Sequence, residues 1–196
     1  EQDTKQVAQT AFEYHFNDPG SLAFQAYYCE TVGNRNHYFA TTNFFHVFKQ
    51  KYALQGIDAN YLDRLEREKS AIIECIDNNR LPDLYFGYFS NVMVQHGNGT
   101  VEKTLGSFFA KLVHTFNSNE FCALDNPIKT YFGLRRESFY IALVVISNAY
   151  KEWIIQNSHL MAQIRAAIVS SPASQSFSEK MTDLKLLDLI FWHEAN

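Results

Sequence analysis

Metal-binding and cross-linking chemistry are the first things this sequence lacks. Its three cysteines, Cys29, Cys75 and Cys122, are odd in number and widely spaced. No CxxC pair and no Cys/His cluster with zinc-ligand spacing is present, which excludes a zinc framework and a disulfide scaffold. The expectation is reduced, buried thiols in a cytoplasmic protein that uses no metal and no other cofactor. Long apolar runs are missing too. The longest, Phe139 to Ile146, falls far short of the ~20 residues that cross a bilayer, and no signal-peptide pattern is read at the start, so no membrane association is expected. There is no internal repeat, low-complexity tract or long linker. Positive charge is not in excess either: 17 basic against 21 acidic side chains leave a net charge of −4, which counts against a nucleic-acid binder. The uneven spread of charge weakens that objection, because residues 100–152 hold six basic and five acidic side chains.

What is abundant is aromatic. The 196 residues include 17 Phe and 11 Tyr. Large rings dominate burial, so most belong to a core, with a few free to stack on bases. The hydrophobic spacing is helical nearly throughout. It predicts helices over 4–16, 21–31, 40–54, 58–78, 83–95, 100–117, 137–156, 158–169 and 182–193. Tyr85 to Phe89 also admits a strand. Gly33 to His37 reads as a polar loop, and Ser170 to Ser176 as the most flexible connector. The charged run Asp63 to Lys69 is a solvated helix face. The 137–156 helix is apolar almost all round, which marks a central element. An all-α fold follows, an orthogonal multi-helix domain of about eight to ten helices. It is read as a monomer, with residues 1–196 as one domain or two intimately packed helical lobes with the site between them.

One stretch speaks about chemistry. Gly97-Asn98-Gly99-Thr100 precedes Lys103, Lys111 and His114, and then comes Asp125-Asn126-Pro127-Ile128. The order reads as a tight glycine turn, a helix carrying two lysines, a loop, and an aspartate at the mouth of the next helix. Proline is favoured at the first helical position and Asn126 is a good N-cap before it. Asp125 therefore sits just outside a helix N-terminus, where the positive end of the dipole favours negative charge. Its plain reading is a solvated helix-start residue; its chemical reading is a carboxylate fixed for hydrolytic work. Lys103 and Lys111, eight positions apart on the expected helix, share a broad face, and Lys111 neighbours His114.

In this order the residues resemble those of the helix-hairpin-helix DNA glycosylases. Gly97 and Gly99 resemble the hairpin glycines, Lys103-Thr104 the lysine and threonine at a helix start, and Asp125 with Ile128 the obligatory aspartate and its following aliphatic residue. Residues 107–134 also look like a divergent bacterial, 8-oxoguanine-glycosylase-like branch, whose Lys-Leu-x-His helix corresponds to Lys111 through His114. Asp183 to Trp192 is similar to the last helix of that branch. The spacing from Gly99 to Lys103 is longer than is common in the family, and Gln95-His96 stands where Leu-Pro is usual. The specific likeness covers about residues 95–135.

The resemblance implies a DNA-binding hydrolase that performs base excision by base flipping and leaves an abasic site. Its transition state resembles an oxocarbenium ion, and Asp125 is implied as the carboxylate that stabilises it or activates a water. Backbone N–H groups of Gly97, Asn98, Gly99 and Thr100 would hold a DNA phosphate, with Lys129, Arg135 and Arg136 flanking the site. In family members with lyase activity a lysine attacks the sugar, a role open to Lys103 or Lys111; the plain role of both is packing or phosphate contact, so a monofunctional enzyme is expected. Placement alone nominates His37, Tyr38 and Asn43 for a base pocket. His114, on an apolar stripe, is first a satisfied core residue, and Trp153 and Trp192 read as core. An oxidised purine, an alkylated base and a hypermodified base in phage DNA are all open as substrates, the last implying phage defence. The competing expectation is a non-enzymatic helical interaction or regulatory module, in which Asp125 is an inert cap and the basic side chains scatter.

Overall fold

Capping side chains set the first boundaries. Asp3 and Asp18 accept hydrogen bonds from the free N–H groups that open α1 (Thr4–His15) and α2 (Pro19–Thr31). The computed structural model describes residues 3–196. The segment expected as a polar loop instead starts α3 (Arg35–Ala40), because the Asn34 side chain accepts from the His37 N–H. After α4 (Phe44–Lys51), the helix expected over 58–78 is two, α5 (Ala59–Arg67) and α6 (Lys69–Asp77), with the break at Glu68. A short α7 (Leu81–Leu84) runs into a π-helical turn, Tyr85–Phe89.

Residues 92–103 depart most from the helical expectation. They form an antiparallel ribbon of β1 (Val92–His96) and β2 (Gly99–Lys103), with Val92 opposite Lys103 and His96 opposite Gly99. Gly97 takes φ +58 at the first of the two turn positions, where a hairpin of the II′ kind needs glycine. The alternation explains the strand: Val92 and Val94 are buried while Met93 between them is 57% exposed, a period of two rather than 3.6. Gly97 to Thr100 therefore turn a β-ribbon, not a connection between two helices, and Lys103 ends a strand.

The helix expected from residue 100 begins at Gly106. It is α8 (Gly106–Phe116), followed by α9 (Asn126–Tyr131), α10 (Phe139–Gln156), α11 (Ser158–Ser170), α12 (Pro172–Gln175) and α13 (Asp183–Ala195). α12 forms inside the segment expected to be a flexible connector. The domain is mostly helical, with 13 α-helices among the described residues. The expected eight to ten are exceeded because one helix divides and short ones start at caps and prolines.

Aromatic residues fill the space between α3, α4, the π-turn and α8. Phe48 stacks on Phe108 with ring centroids 5.3 Å apart, and Tyr38 meets Phe44 edge-on at 4.7 Å. Such pairs add ~0.5–1.5 kcal/mol each beyond burial. α8 approaches α10 at Gly106, where a β-carbon would overlap the Phe139 ring. α13 lies against α1, α9 and α10. Every residue from Leu184 to Ile190 on it is buried, Lys185 and Asp188 included. Among the described residues no helix is long and apolar enough to cross a membrane.

Candidate functional site

Two charges inside the buried stretch Leu184–Ile190 need a reason, and α13 delivers them, Lys185 and Asp188, to a cavity of about 410 Å³. That is within the ordinary range for a small-ligand site. His15 from α1, Gln25 from α2, Tyr52 and Ala53 just past α4, Lys111 from α8, Asp125 and Trp192 complete the wall.

The cap at α9 lies one residue earlier than the sequence pattern suggests. Asp125, not Asn126, is the N-cap, and its Oδ1 accepts from the Ile128 N–H at 3.3 Å. Its Oδ2 accepts from Trp192 Nε1–H at 3.0 Å and lies 3.8 Å from Lys111 Nζ. The carboxylate is thus not a solvated helix-start group: two hydrogen bonds and a neighbouring ammonium hold it on the cavity wall. The Lys111 and Asp125 side chains are 18% and 14% exposed. Lys111 Nζ also sits 5.7 Å from the Tyr52 ring centroid. Burial lowers the pKa of this ammonium; Asp125 and Asp188 oppose the shift, and the Lys185 charge adds to it.

At the buried end, Lys185 Nζ donates to Asp188 Oδ2 at 2.9 Å, with both side chains only 6% exposed. Burial raises the pKa of Asp188, and Lys185 restrains the rise. Asp188 Oδ1 and Gln25 Oε1 are buried with no hydrogen-bond partner among the described residues. An unpaired buried acceptor costs ~1–3 kcal/mol. Both residues border the cavity, but these two oxygens are sealed from its open space.

His114 belongs to the layer behind. Its Nδ1 faces the Phe121 carbonyl at 2.7 Å, which can only accept, so Nδ1 carries the proton and Nε2 accepts from the Tyr28 hydroxyl at 2.8 Å. Burial pushes its pKa down to about 3. The ring is neutral and structural, and the Tyr28 ring lies under Lys185 Nζ at 5.0 Å. His15 donates to the Leu189 carbonyl at 2.9 Å and is pushed down to about 4, again chiefly by burial.

Of the residues the sequence nominated, Asp125 and Lys111 reach the cavity together, with His114 packed behind them. Lys103 does not, for its ammonium lies against Gly56. Gly97, Asn98, Gly99 and Thr100 are exposed at the ribbon tip. Lys129 is sealed into the protein: it is 4% exposed, donates to the Glu137 carbonyl at 2.5 Å and sits 4.3 Å from the Phe139 ring centroid. Arg135 and Arg136 are exposed in the turn between α9 and α10. His37 faces Glu30 at 3.5 Å, Tyr38 is core with its hydroxyl donating to the Lys69 carbonyl, and Asn43 starts α4 at φ +57. None of these three lines the cavity.

Sequence reasoning passed over Gln25, Tyr52, Lys185 and Asp188, and took Trp192 for core. The signal that could have found the charged pair was visible: a lysine and an aspartate three residues apart inside an apolar closing helix. Among the described residues no cluster of three or more His, Cys, Asp or Glu side chains is placed to hold a metal ion. No protein-family model matches the chain, and neither a curated protein nor a solved structure is significantly similar to it.

Proposed function

We propose that the chain is a DNA glycosylase, taking a base turned out of the duplex into the cavity and cutting its N-glycosidic bond. The observation that carries this reading is a juxtaposition. An amine and a carboxylate 3.8 Å apart stand on the wall of a cavity, whose buried end is bordered by Gln25 and by the Lys185–Asp188 pair. A cavity of about 410 Å³ has room for one nucleobase, with its sugar near the Lys111–Asp125 pair.

Lys111 is then the nucleophile. Its neutral amine forms a bond to C1′, the bond from C1′ to the base breaks, and the electron pair leaves with the base. The proton shed by the attacking nitrogen passes through solvent to the departing base. Asp125, anchored by Trp192 and its own helix, stabilises the positive charge that grows on the sugar. The nitrogen lone pair then forms the protonated imine as the C1′–O4′ bond breaks and O4′ takes a proton from solvent, and water hydrolyses the imine to an abasic sugar and free lysine. Burial supports a lysine over the water-using chemistry expected from the sequence, because it favours the neutral amine; the carboxylate at 3.8 Å favours the ammonium instead.

The test is incubation with DNA carrying normal, oxidised, alkylated or hypermodified bases. Release of one class, with alkali-labile sites left behind, is expected. Asp125→Asn should slow release by about 100-fold or more, the scale of losing one charge-stabilising group. Release of no base from any substrate would leave the interaction-module reading standing instead.

A further inference from the structure

The excision chemistry uses Lys111 and Asp125 and gives no role to the second ion pair in the same wall. Lys185 and Asp188 stand one turn apart on α13, with Nζ and Oδ2 separated by 2.9 Å and both side chains only 6% exposed. Both border the cavity that Lys111 and Asp125 line. Burying two charges is costly, and apolar side chains of similar size are often as stabilising. Stability alone is therefore a weak reason for the pair.

Both ammonium groups sit in an ordered frame. Lys111 Nζ lies 5.7 Å from the Tyr52 ring centroid, and Lys185 Nζ lies 5.0 Å from that of Tyr28. The Tyr52 hydroxyl meets Thr115 Oγ1 at 3.4 Å, and the Tyr28 hydroxyl donates to His114 Nε2 at 2.8 Å. Lys111, His114 and Thr115 share α8, so both amines are seated on rings anchored to one helix. In surroundings this dry, charges couple more strongly than in water.

Few charges face Lys111. Asp125 at the start of α9 and Asp188 on α13 favour its ammonium, and Lys185 opposes it. The other titratable groups on the packed elements are uncharged near neutral pH. His15 on α1 and His114 on α8 are pushed down to about 4 and about 3, and burial holds the Tyr28 and Tyr52 hydroxyls above their usual range. Lys51 is exposed at the rim, where solvent and salt screen it. With Asp125 already 3.8 Å away, a second carboxylate left unopposed would hold Lys111 as an ammonium, which has no lone pair for attack.

We propose that Lys185 is a positioning residue for the reaction at Lys111: it binds Asp188 to itself and so leaves Lys111 one carboxylate to answer to rather than two. This rests on the base-removal reading, in which Lys111 attacks as the free amine. α13 thereby helps to set the pH above which attack begins.

Competitive labelling with acetic anhydride tests the arrangement without DNA. The reagent takes free amines, and peptide mapping follows Lys111 alone across about pH 6–11, the range in which lysines titrate. Lys185→Met should raise the labelling midpoint of Lys111 by about 0.5–1 pH unit, Asp188→Asn should lower it by a similar amount, and the double variant should return it to within about 0.3 of wild type. Lost packing changes yield, and it does not move a midpoint in opposite directions. Should Lys185→Met fail to fold, the fall in Asp188→Asn decides. With a base that the wild type releases, single-turnover release by Lys185→Met should be about three- to tenfold slower near pH 8 and recover near pH 10. Midpoints that stay put, or move the same way in both single variants, overturn the proposal and leave base removal standing. Opposite movements in a protein inert on every DNA uphold the control of Lys111 and overturn base removal alone.

Discussion

Lys185→Met removes the charge facing Asp188 at 2.9 Å while keeping an unbranched side chain of similar length. Both partners are only 6% exposed, so the carboxylate left behind cannot recover its hydration. Breaking a buried pair from one side costs ~3–5 kcal/mol, against a total stability of about 5–15 kcal/mol. At this chain length each kcal/mol moves Tm by roughly 2–4 °C, so a fall of about 10 °C is expected near pH 8. The sign of the pH dependence separates charge from packing. Burial already raises the pKa of Asp188, Lys185 restrains it, and without the lysine it rises further. A carboxyl whose folded pKa exceeds its unfolded value, about 3.9, contributes stability that is whole below the unfolded pKa. That contribution is lost as pH climbs through the folded pKa. The deficit of the variant should therefore be small near pH 5 and grow toward pH 8, whereas lost packing would cost the same at both. Urea unfolding of wild type and variant across this range measures it, and Asp188→Asn in the variant background should restore part of the loss. A deficit that ignores pH, or stays below about 1 kcal/mol near pH 8, would refute the buried pair.

Tyr28→Phe takes away the donor to His114 Nε2 at full burial; a loss of ~1–3 kcal/mol in urea unfolding is expected. His114 has a folded pKa of about 3, below its unfolded value, so its contribution is present above the unfolded pKa and lost as pH falls toward the folded one. By about pH 5 it should have cost roughly 2 kcal/mol, and nitrogen NMR showing a charged His114 ring at that pH would contradict the assignment. Gly106→Ala places a methyl against the Phe139 ring, and overpacking of ~1–3 kcal/mol should appear as a lower Tm; an unchanged Tm would mean that α8 and α10 are not in close contact there.

Particular residues show what the sequence could and could not reveal. α1, α2 and α13 were legible because their apolar residues recur at helical spacing, while the capping roles of Asp3, Asp18 and Thr182 emerge from the structure. The ribbon at 92–103 was misread because a glycine turn is the same local chemistry between strands as between helices. Only the alternation of Val92, Met93 and Val94 tells them apart, over too few residues to outweigh the helical surroundings. The Glu68 break carries no proline, glycine or capping bond, so nothing local in the sequence marks it. At the site, Asp125 was visible through its cap and proline, and Lys111 through its order before Asp125. Gln25 and Tyr52 come from distant helices and carry no local mark. His37 and Tyr38 were nominated because they looked like loop, a reading that Asn34 removes by capping α3.

Borohydride reduction during turnover tests the lysine chemistry most directly, because it traps a carbon–nitrogen bond between protein and sugar. With DNA bearing a base that the wild type releases, a stable protein–DNA adduct should form, peptide mapping should place it on Lys111, and Lys111→Gln should abolish it. Base release without an adduct, or an adduct mapped to Lys185 or Lys103, would contradict Lys111 as the attacking group.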